Sequence, residues 1–246
     1  MMKRFLLFGL VLLLSTCGTP DVSTPAPTSL AIKLFYPAAL QPWADKLANC
    51  ATNNPQIALY FMQSSGLDAN LLANDIALEL GQSTQDIPGT NLFQVGWEQV
   101  VVVVNKDNQL AQLSNEDLKS IFSGQVSKWK NASNQPIQVW VMPEGEPTRT
   151  IFDNAVMLTQ SLSSEAMLAP DPGAMLEAIS RDVDSIGYLP QSFLNTSDST
   201  FANKVRILHL EPSLETELHQ PVIAFTHSEP KGLIRNILVC LQHETP

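Results

Sequence analysis

Residues 99–129 read QVVVVVNKDNQLAQLSNEDLKSIFSGQVSKW, and this stretch decides the fold class. Five consecutive valines, Val100 to Val104, form a run that is apolar on both faces, as in a strand inside a covered parallel sheet. Ser114 then begins a helix, with Asp117 three residues later in the manner of a capping box. Gly124 ends that helix as a C′ glycine. A buried strand followed by a capped amphipathic helix predicts an α/β protein.

The same alternation of strand and helix continues on both sides of this stretch. Short apolar runs rich in β-branched residues predict strands at 30–36, 57–62, 76–80, 99–105, 136–142, 185–189, 205–210 and 221–226. Besides the helix that Ser114 begins, amphipathic or proline-initiated runs predict helices at 40–51, 66–74, 147–162, 172–180 and 230–242. No internal repeat is visible in the sequence.

The composition indicates a folded, acidic protein. The 246 residues are 44% hydrophobic and 15% charged, which is enough apolar material for a sizeable core. Lysine and arginine number 14 against 24 acidic residues, for a formal net charge of −10. The chain has no basic stripe, so the charge argues against nucleic acid and against broad attachment to anionic lipid head groups.

The N-terminus has the features of an export signal. Lys3 and Arg4 precede an apolar run, Phe5 to Leu14, that is too short to span a bilayer. The run ends in Leu14-Ser15-Thr16-Cys17, which resembles the bacterial lipobox. We therefore expect residues 1–16 to be a lipoprotein signal peptide and Cys17 to carry the lipid, with an ordinary secretory signal as the alternative. Residues 17–29, rich in Pro, Thr and Ser, predict a tether between membrane and domain.

Two further cysteines remain after Cys17. Cys50 and Cys240 both lie on predicted helices, and in an oxidising compartment they are candidates for a disulfide. Two buried free thiols are the alternative, because a sequence does not give the distance between them.

Several motifs resemble those of the phosphate-type substrate-binding proteins of ABC transporters. The valine strand is followed by Ile121-Phe122-Ser123-Gly124 and then Trp129, a block that is similar to one in that family. Three later motifs continue in the family's order: Pro136-Ile137-Gln138-Val139, Pro147-Thr148-Arg149 with Phe152, and Ser185-Ile186-Gly187-Tyr188-Leu189. The resemblance covers most of the chain after the tether.

This resemblance implies a two-lobed periplasmic-binding-protein fold of the second type. Each lobe would be a β-sheet flanked by helices, and two crossover strands would form the hinge. Lobe I would comprise residues 30–101 and 191–246, and lobe II residues 102–190. The implied role is an extracytoplasmic, lipid-anchored monomer of the bacterial cell membrane that binds a small-molecule solute and serves an ABC permease. No cofactor is implied.

Carried over from the family motifs, the ligand-binding positions lie in four segments where strands end and helices begin. Unpaired N–H groups and the helix dipole favour an anion at such places. The positions are Ala38, Ala39, Ser64, Ser65, Gly66, Gln82, Met142, Glu146, Thr148 and Arg149. Only the segment at Ser64 keeps the family's hydroxyl groups. Alanines replace a Ser-Thr pair, Gln82 stands near an expected carboxylate, and Met142 replaces an arginine.

The altered residues predict a changed ligand specificity. Glu144 and Glu146 follow the strand that ends at Met142, and either carboxylate could face the cleft. Two unit charges about 4 Å apart interact by about 4 kcal/mol at an effective dielectric of about 20. That is about half of the binding free energy of a micromolar ligand. Arg149 would offset the repulsion if it turned inward. The alternatives are that both glutamates are solvated, with Glu146 as an N-cap, and that Ser64 and Ser65 only cap a helix.

Enzymatic and metal-binding functions find little support in the motifs. There is no Gly-x-Ser-x-Gly elbow, no phosphate-binding loop with lysine and no His-Glu-x-x-His. The four histidines near the C-terminus lack metal-ligand spacing: His209, His219, His227 and His243. The acid pairs Asp182/Asp184 and Glu215/Glu217 lie in polar stretches and are expected at the surface, with paired acid–base chemistry as the weaker alternative. Trp97, Trp129 and Trp140 are expected in the core. A surface sensor or interaction module that keeps the binding-protein fold is the alternative function.

Overall fold

The computed structural model describes residues 29–64, 71–82, 89–129, 135–195 and 200–243. Within these ranges the strands are β1 (Leu30–Tyr36), β2 (Ile57–Gln63), β3 (Ile76–Leu80), β4 (Asn91–Asn105), β5 (Gln138–Val141), β6 (Met167–Leu168), β7 (Ser185–Pro190), β8 (Val205–Ile207) and β9 (His219–Thr226). The helices are α1 (Gln41–Thr52), α2 (Asn115–Phe122), α3 (Pro147–Phe152), α4 (Pro172–Arg181), α5 (Pro212–Glu217) and α6 (Gly232–His243). The predicted α/β class is confirmed.

The caps of α2 form as the sequence predicts. The Ser114 hydroxyl oxygen accepts a hydrogen bond from the Asp117 N–H at 3.1 Å, and the hydroxyl donates to the Asp117 carboxylate at 2.7 Å. At the other end Gly124 adopts a φ of +79°, which is costly for residues with a Cβ. The helix therefore begins and ends where its own sequence directs.

A single path of strands runs through the molecule in the order β2-β1-β3-β9-β4-β7-β5-β6, with β8 also paired to β4. The outer strands pair in parallel, whereas β4 is antiparallel to β7, β8 and β9. The valine run in β4 is buried, as predicted, but the expectation that its neighbouring strands run parallel to it is wrong. Burial on both faces produces the same apolar run whichever way the neighbouring strands point.

Two separate hydrophobic cores lie along this sheet. One is built on β1, β3, α1 and α6, with Trp43 and Leu47 fully buried. The other is built on the valines of β4 with α2, α4 and β7, and it contains Phe122, Phe152 and Tyr188. The molecule is thus two-lobed, as the resemblance implies.

The chain crosses between the lobes at two adjacent places. The first crossing is inside β4, where Gln99 pairs with His219 of β9 and the next residue, Val100, donates its N–H to Leu218 O at 2.9 Å. The second crossing is the step from Leu218 to His219. Residues 205–218, which we assigned to lobe I, instead pack on the second core through β8 and α5. Lobe II therefore extends beyond the predicted 102–190.

Several predicted elements differ from the observed ones. Residues 71–74 form no helix but a turn, in which the Asp75 carboxylate accepts the Leu72 N–H at 3.0 Å. The helix predicted for 147–162 ends in a π-helical turn, Asp153–Met157, because Leu158 adopts a φ of +55°. The strand predicted at 205–210 ends at Ile207, and β4 begins at Asn91 rather than at Gln99. The short elements β6 and α5 were not predicted.

Two residues lie in environments opposite to those expected from the sequence. Trp97 was expected in the core, but it is 49% exposed and stacks on the His219 ring at a centroid distance of 4.8 Å. Asp184 was expected at the surface, but it is buried, and its N–H donates to the Asp182 carboxylate at 3.1 Å. Both differences arise from packing between residues far apart in sequence or from the local turn, which periodicity does not reveal.

The predicted signal peptide and Cys17 lie outside the described residues, as do residues 17–28 of the tether. Among the residues that the structure describes, no helix has the length and apolar character needed to cross a membrane.

A disulfide joins the first helix to the last. Cys50 of α1 and Cys240 of α6 are bonded, with their Cα atoms 5.9 Å apart and a sequence separation of 190. The alternative of two free thiols is therefore wrong. Because both helices cover the same face of lobe I, the bond fastens the chain ends onto one core.

We expect loss of this disulfide to lower the free energy of unfolding by about 2–5 kcal/mol, because the bond restricts the unfolded chain. Urea denaturation with and without reductant would measure the effect. The C50A/C240A variant should be destabilised and indifferent to reductant. A wild-type transition that reductant leaves unchanged would contradict a stabilising bond.

Gly96 lies where Trp43 crosses β4, at an irregularity in the pairing of β4 with β9. A Cβ at this position would lie 2.3 Å from Cη2 of Trp43. We expect G96A to lower the free energy of unfolding by about 1–3 kcal/mol through overpacking. G187A is the matched comparison, since its Cβ would meet flexible side chains, with Cδ1 of Ile179 and Sδ of Met175 each at 2.8 Å. In urea denaturation G96A should be the more destabilised variant; the reverse order would refute this packing argument.

Candidate functional site

The two lobes meet where β1, β3 and β5 end. After β1 a short 3₁₀ turn, Ala38–Leu40, carries the chain into α1, and after β5 the chain enters α3. Ile151 of α3 packs against both hydrophobic cores, and its Cδ1 lies 3.8 Å from the point where a Cβ on Gly81 would stand. We refer to this contact region, at residues 38–39, 81–82 and 142–151, as the interlobe seam.

Glu146 is the N-cap of α3 at the seam. Its Oε2 accepts hydrogen bonds from the N–H groups of Thr148, at 2.7 Å, and Arg149, at 3.3 Å. The residue is only 6% exposed. The predicted N-cap role is confirmed, whereas the alternative of a solvated carboxylate holds only for Glu144, which is exposed.

Burial raises the pKa of the Glu146 carboxyl above its ordinary value near 4.5. Hydrogen bonding by the Thr148 side chain and by the N–H groups of Arg149, Thr148 and Ala39 opposes this rise. Neither the Thr148 hydroxyl nor the Ala39 amide closes into good hydrogen-bond geometry, so Oε1 of Glu146 and Oγ1 of Thr148 are buried without a partner. Ala39 belongs to lobe I, so groups from both lobes face this one carboxylate.

Arg149 does not turn toward Glu146 to neutralise it. Its Nη1 donates to the Met142 carbonyl at 2.7 Å, and its Nε pairs with the Asp153 carboxylate at 2.5 Å. The arginine is thereby tied to the end of β5 and to its own helix. The condition under which Arg149 would offset the glutamate charge is not met, because the Met142 carbonyl and the Asp153 carboxylate hold the guanidinium.

An aromatic pair supports the end of β5. Tyr188 of β7 stacks on Phe152 of α3, with ring centroids 3.9 Å apart, and its hydroxyl oxygen accepts the Met142 N–H at 3.3 Å. Burial raises the pKa of the Tyr188 phenol, so it remains protonated at neutral pH. These contacts fix Met142 through its backbone, which explains why a methionine at this position leaves the turn intact.

The other predicted binding residues take different places. Ser64 directly follows β2, with its N–H donating to the Tyr36 carbonyl at 2.9 Å, and Gln82 is exposed after β3. Ala38 and Ala39 form the 3₁₀ turn at the seam. Ser65 and Gly66 lie outside the described residues. The structure thus brings Ala39, Glu146 and Thr148 together, and a ligand-binding role for the predicted set stays a prediction.

Glu98 is a buried carboxylate that the sequence analysis missed. It is 2% exposed, and it accepts hydrogen bonds from the Trp43 indole N–H at 2.7 Å and from the Ser192 N–H at 3.1 Å. It lies one residue before the crossing in β4, so it joins α1 of lobe I to the turn that follows β7. Its position two residues before the five valines was the signal, because a carboxylate in an apolar strand needs buried partners.

A cavity of about 340 Å³ lies in lobe II, between the 108–113 loop, α2 and Trp129. It shares none of its lining residues with the seam. Within the described part of the chain, no group of three or more His, Cys, Asp or Glu residues is arranged to hold a metal ion.

The raised pKa of Glu146 predicts a pH-dependent stability. The folded protein holds this proton more tightly than the unfolded chain, so the free energy of unfolding should fall as the pH rises from about 4.5 through the folded pKa. Arg149, Asp153 and Tyr188 are the charged or titratable groups beside it. Each tenfold gain in proton affinity corresponds to about 1.4 kcal/mol.

Urea denaturation of the wild type at pH 4.5 to 8 would test this dependence. The E146Q variant has no titrating carboxyl at this position, so its free energy of unfolding should lack the pH dependence that Glu146 contributes. E144Q makes the same change at an exposed position of the same loop and should follow the wild-type profile. Superimposable profiles for the wild type and E146Q would contradict the raised pKa.

Comparison with known proteins identifies relatives of this fold. The phosphate-binding protein PstS of Staphylococcus aureus (strain USA300) is 26% identical over 106 residues, which cover 41% of this chain and 32% of that protein. The match thus spans about a third of the length of these curated relatives. The family model for the PBP superfamily domain matches residues 39–242.

Solved structures share the fold at low sequence identity. A phosphate ABC transporter substrate-binding protein from Clostridium perfringens, with bound phosphate, superimposes with a TM-score of 0.69 at 16% identity, covering 86% of this chain and 93% of that one. An ABC-type phosphate transport receptor from Vibrio cholerae superimposes with a TM-score of 0.62 at 18% identity, covering 87% of this chain and 94% of that one. The CcmR regulatory domain of Synechocystis, in complex with 2-PG, superimposes with a TM-score of 0.62 at 12% identity, covering 87% of this chain and 96% of that one. This chain belongs to the PBP superfamily domain family and, as its motifs imply, resembles the phosphate-type binding proteins within it.

Proposed function

We propose that this protein is a solute-binding protein of an ABC-type uptake system, capturing a small molecule between its two lobes. The observation that carries the proposal is the seam itself. Polar groups of both lobes, the Ala39 amide and the Glu146 carboxylate, face each other there beside the paired crossings of the chain. Paired crossings allow one lobe to rotate against the other, which is how such folds close on a ligand. The phosphate-binding relatives support the proposal.

The proposed location is outside the cytoplasm, on the bacterial cell membrane. The export signal ends in a lipobox-like sequence at Cys17, and the Pro/Thr/Ser tether would give the domain reach from a lipid anchor. The Cys50–Cys240 disulfide supports an oxidising compartment. A monomer that docks on a membrane permease is the assembly we propose.

We propose further that its solute differs from the phosphate of the named relatives. The seam has a buried carboxylate, and Arg149, the cation nearest to it in sequence, is held by Asp153 and the Met142 carbonyl. A tetrahedral anion would therefore meet negative charge without a free guanidinium beside it. We propose binding rather than catalysis, in line with the substrate-binding relatives.

A second candidate function is a sensor or interaction module without transport. The similarity to the CcmR regulatory domain favours it, because that domain uses the same fold in a regulator. Under this alternative the lobes would hold a regulatory ligand or a protein partner, and no permease would be required.

A thermal-shift screen would test the solute-binding proposal. We expect one class among amino acids, polyamines, sugars, phosphate, sulfate and molybdate to raise Tm. A ligand at 100 times its Kd stabilises by about 2.7 kcal/mol, which is a shift of about 5–11 °C for a protein of this size. Phosphate and sulfate should give no shift in Tm. Silence across the whole panel would count against solute capture and favour the interaction module.

A further inference from the structure

Glu98 is a buried carboxylate that lies at the crossing between the lobes and away from the seam. It is in β4, where it pairs with Gln220 of β9, and the chain passes from the first core to the second core directly after it, at residues 99–100. The residue is 2% exposed. A carboxylate buried to this extent needs hydrogen-bond donors, and the identity of its donors shows which parts of the molecule it holds.

The donors to Glu98 come from opposite lobes, and each one bonds to a different oxygen atom. The Trp43 indole N–H, in the core of lobe I, donates to Oε2 at 2.7 Å. The Ser192 N–H donates to Oε1 at 3.1 Å. Ser192 lies in the turn Gln191–Leu194, and the last two residues of this turn pack against the core of lobe II. The carboxylate therefore bridges the two lobes through its two oxygen atoms.

The lobe I end of this bridge is firmly held. The Trp43 ring lies against β4 at Gly96, where a Cβ would clash with it, and Nζ of Lys46 lies 4.6 Å from the centre of the ring. Trp43 is in the first turn of α1, the helix that directly follows the 3₁₀ turn Ala38–Leu40 at the seam. The bond from Trp43 to Glu98 thus connects the crossing to the lobe I side of the seam.

The bridge requires an acceptor at both terminal atoms of the side chain at position 98. A carboxylate has two acceptor oxygens, whereas the amide of a glutamine has one oxygen and one N–H₂ donor. A glutamine at this position would accept from one lobe and present an N–H group to the donor of the other. This requirement accounts for a glutamate two residues before five valines.

We infer that Glu98 is a positioning residue of the hinge: by accepting one hydrogen bond from each lobe, it sets the orientation of lobe I relative to lobe II and thereby the geometry of the seam. The inference rests on the proposed capture of a solute between the lobes, and it names the residue that fixes the arrangement in which the two sides of that site meet. Glu98 itself does not contact the solute.

Glutamine is the informative substitution for Glu98. E98Q keeps the size of the side chain and breaks the bond to one lobe, because a single acceptor oxygen remains. W43F removes the lobe I donor and leaves the carboxylate intact, so it breaks the same bridge from the other side. S192A is the matched control, since it removes a hydroxyl that is buried without a partner in the described part of the chain and keeps the backbone N–H that Glu98 accepts. Circular dichroism melts would establish which variants fold.

Residual dipolar couplings of the isotope-labelled protein, recorded without solute, measure the orientation of one lobe relative to the other. We expect a single alignment tensor to fit both lobes of the wild type and of S192A. In E98Q and in W43F the lobes should require separate tensors or take a changed orientation. In E98Q either the Ser192 amide or the Trp43 indole proton should also exchange with solvent about tenfold faster, a factor in keeping with the loss of one hydrogen bond.

The wild-type orientation in every folded bridge variant would overturn the inference. Separate tensors in the wild type would also overturn it, as would an S192A variant that behaves like E98Q, because the backbone bond would then not be the one that matters. A structural contribution to stability alone would lower the melting temperature and leave the orientation of the lobes unchanged.

The solute screen of the wild type separates this inference from the proposed function, because the couplings are measured without any solute. A changed orientation in E98Q, with a wild type that responds to no solute, would support the role of Glu98 and remove solute capture. A wild type that responds to a solute, with an unchanged orientation in E98Q, would do the opposite. A positive result in both experiments would support both.

Discussion

The structure depends on one strand that belongs to both lobes. The first half of β4 pairs with β9 in one core, and its second half, the valines from Val100 onward, pairs with β7 in the other. Because the second crossing lies directly beside the first, the lobes are joined along one narrow line. Glu98 reinforces that line by holding Trp43 on one side and Ser192 on the other. This shared strand sets the position of one lobe relative to the other, and therefore which residues meet at the seam.

Much of the fold could be predicted because its signals are local. The valine run, the Ser114 cap and Gly124 each specify their element within a few residues, and all three form as expected. The extent of lobe II could not be predicted in this way. Residues 205–218 join that lobe through β8 pairing and the burial of Leu214, and both contacts are with residues distant in sequence.

The candidate site was predicted in position but not in its electrostatics. Family motifs led to Ala39, Glu146 and Thr148, which the structure brings together. The sequence left the burial of Glu146 open, because burial depends on tertiary packing. It also left open the direction of Arg149, which depends on Asp153 one turn later and on the backbone of Met142. Side-chain direction is a tertiary property, and only the folded chain supplies it.

The buried carboxylate has a consequence for how the lobes move. In a binding protein whose cleft is lined by free amides, the ligand supplies the charge that draws the lobes together. Here Glu146 already accepts hydrogen bonds from the amides of its own helix and faces Ala39 across the seam, so the contact between the lobes has an internal source of stabilisation. The Glu146 carboxylate thus has two structural roles: it caps α3 and it contributes to the contact between the lobes.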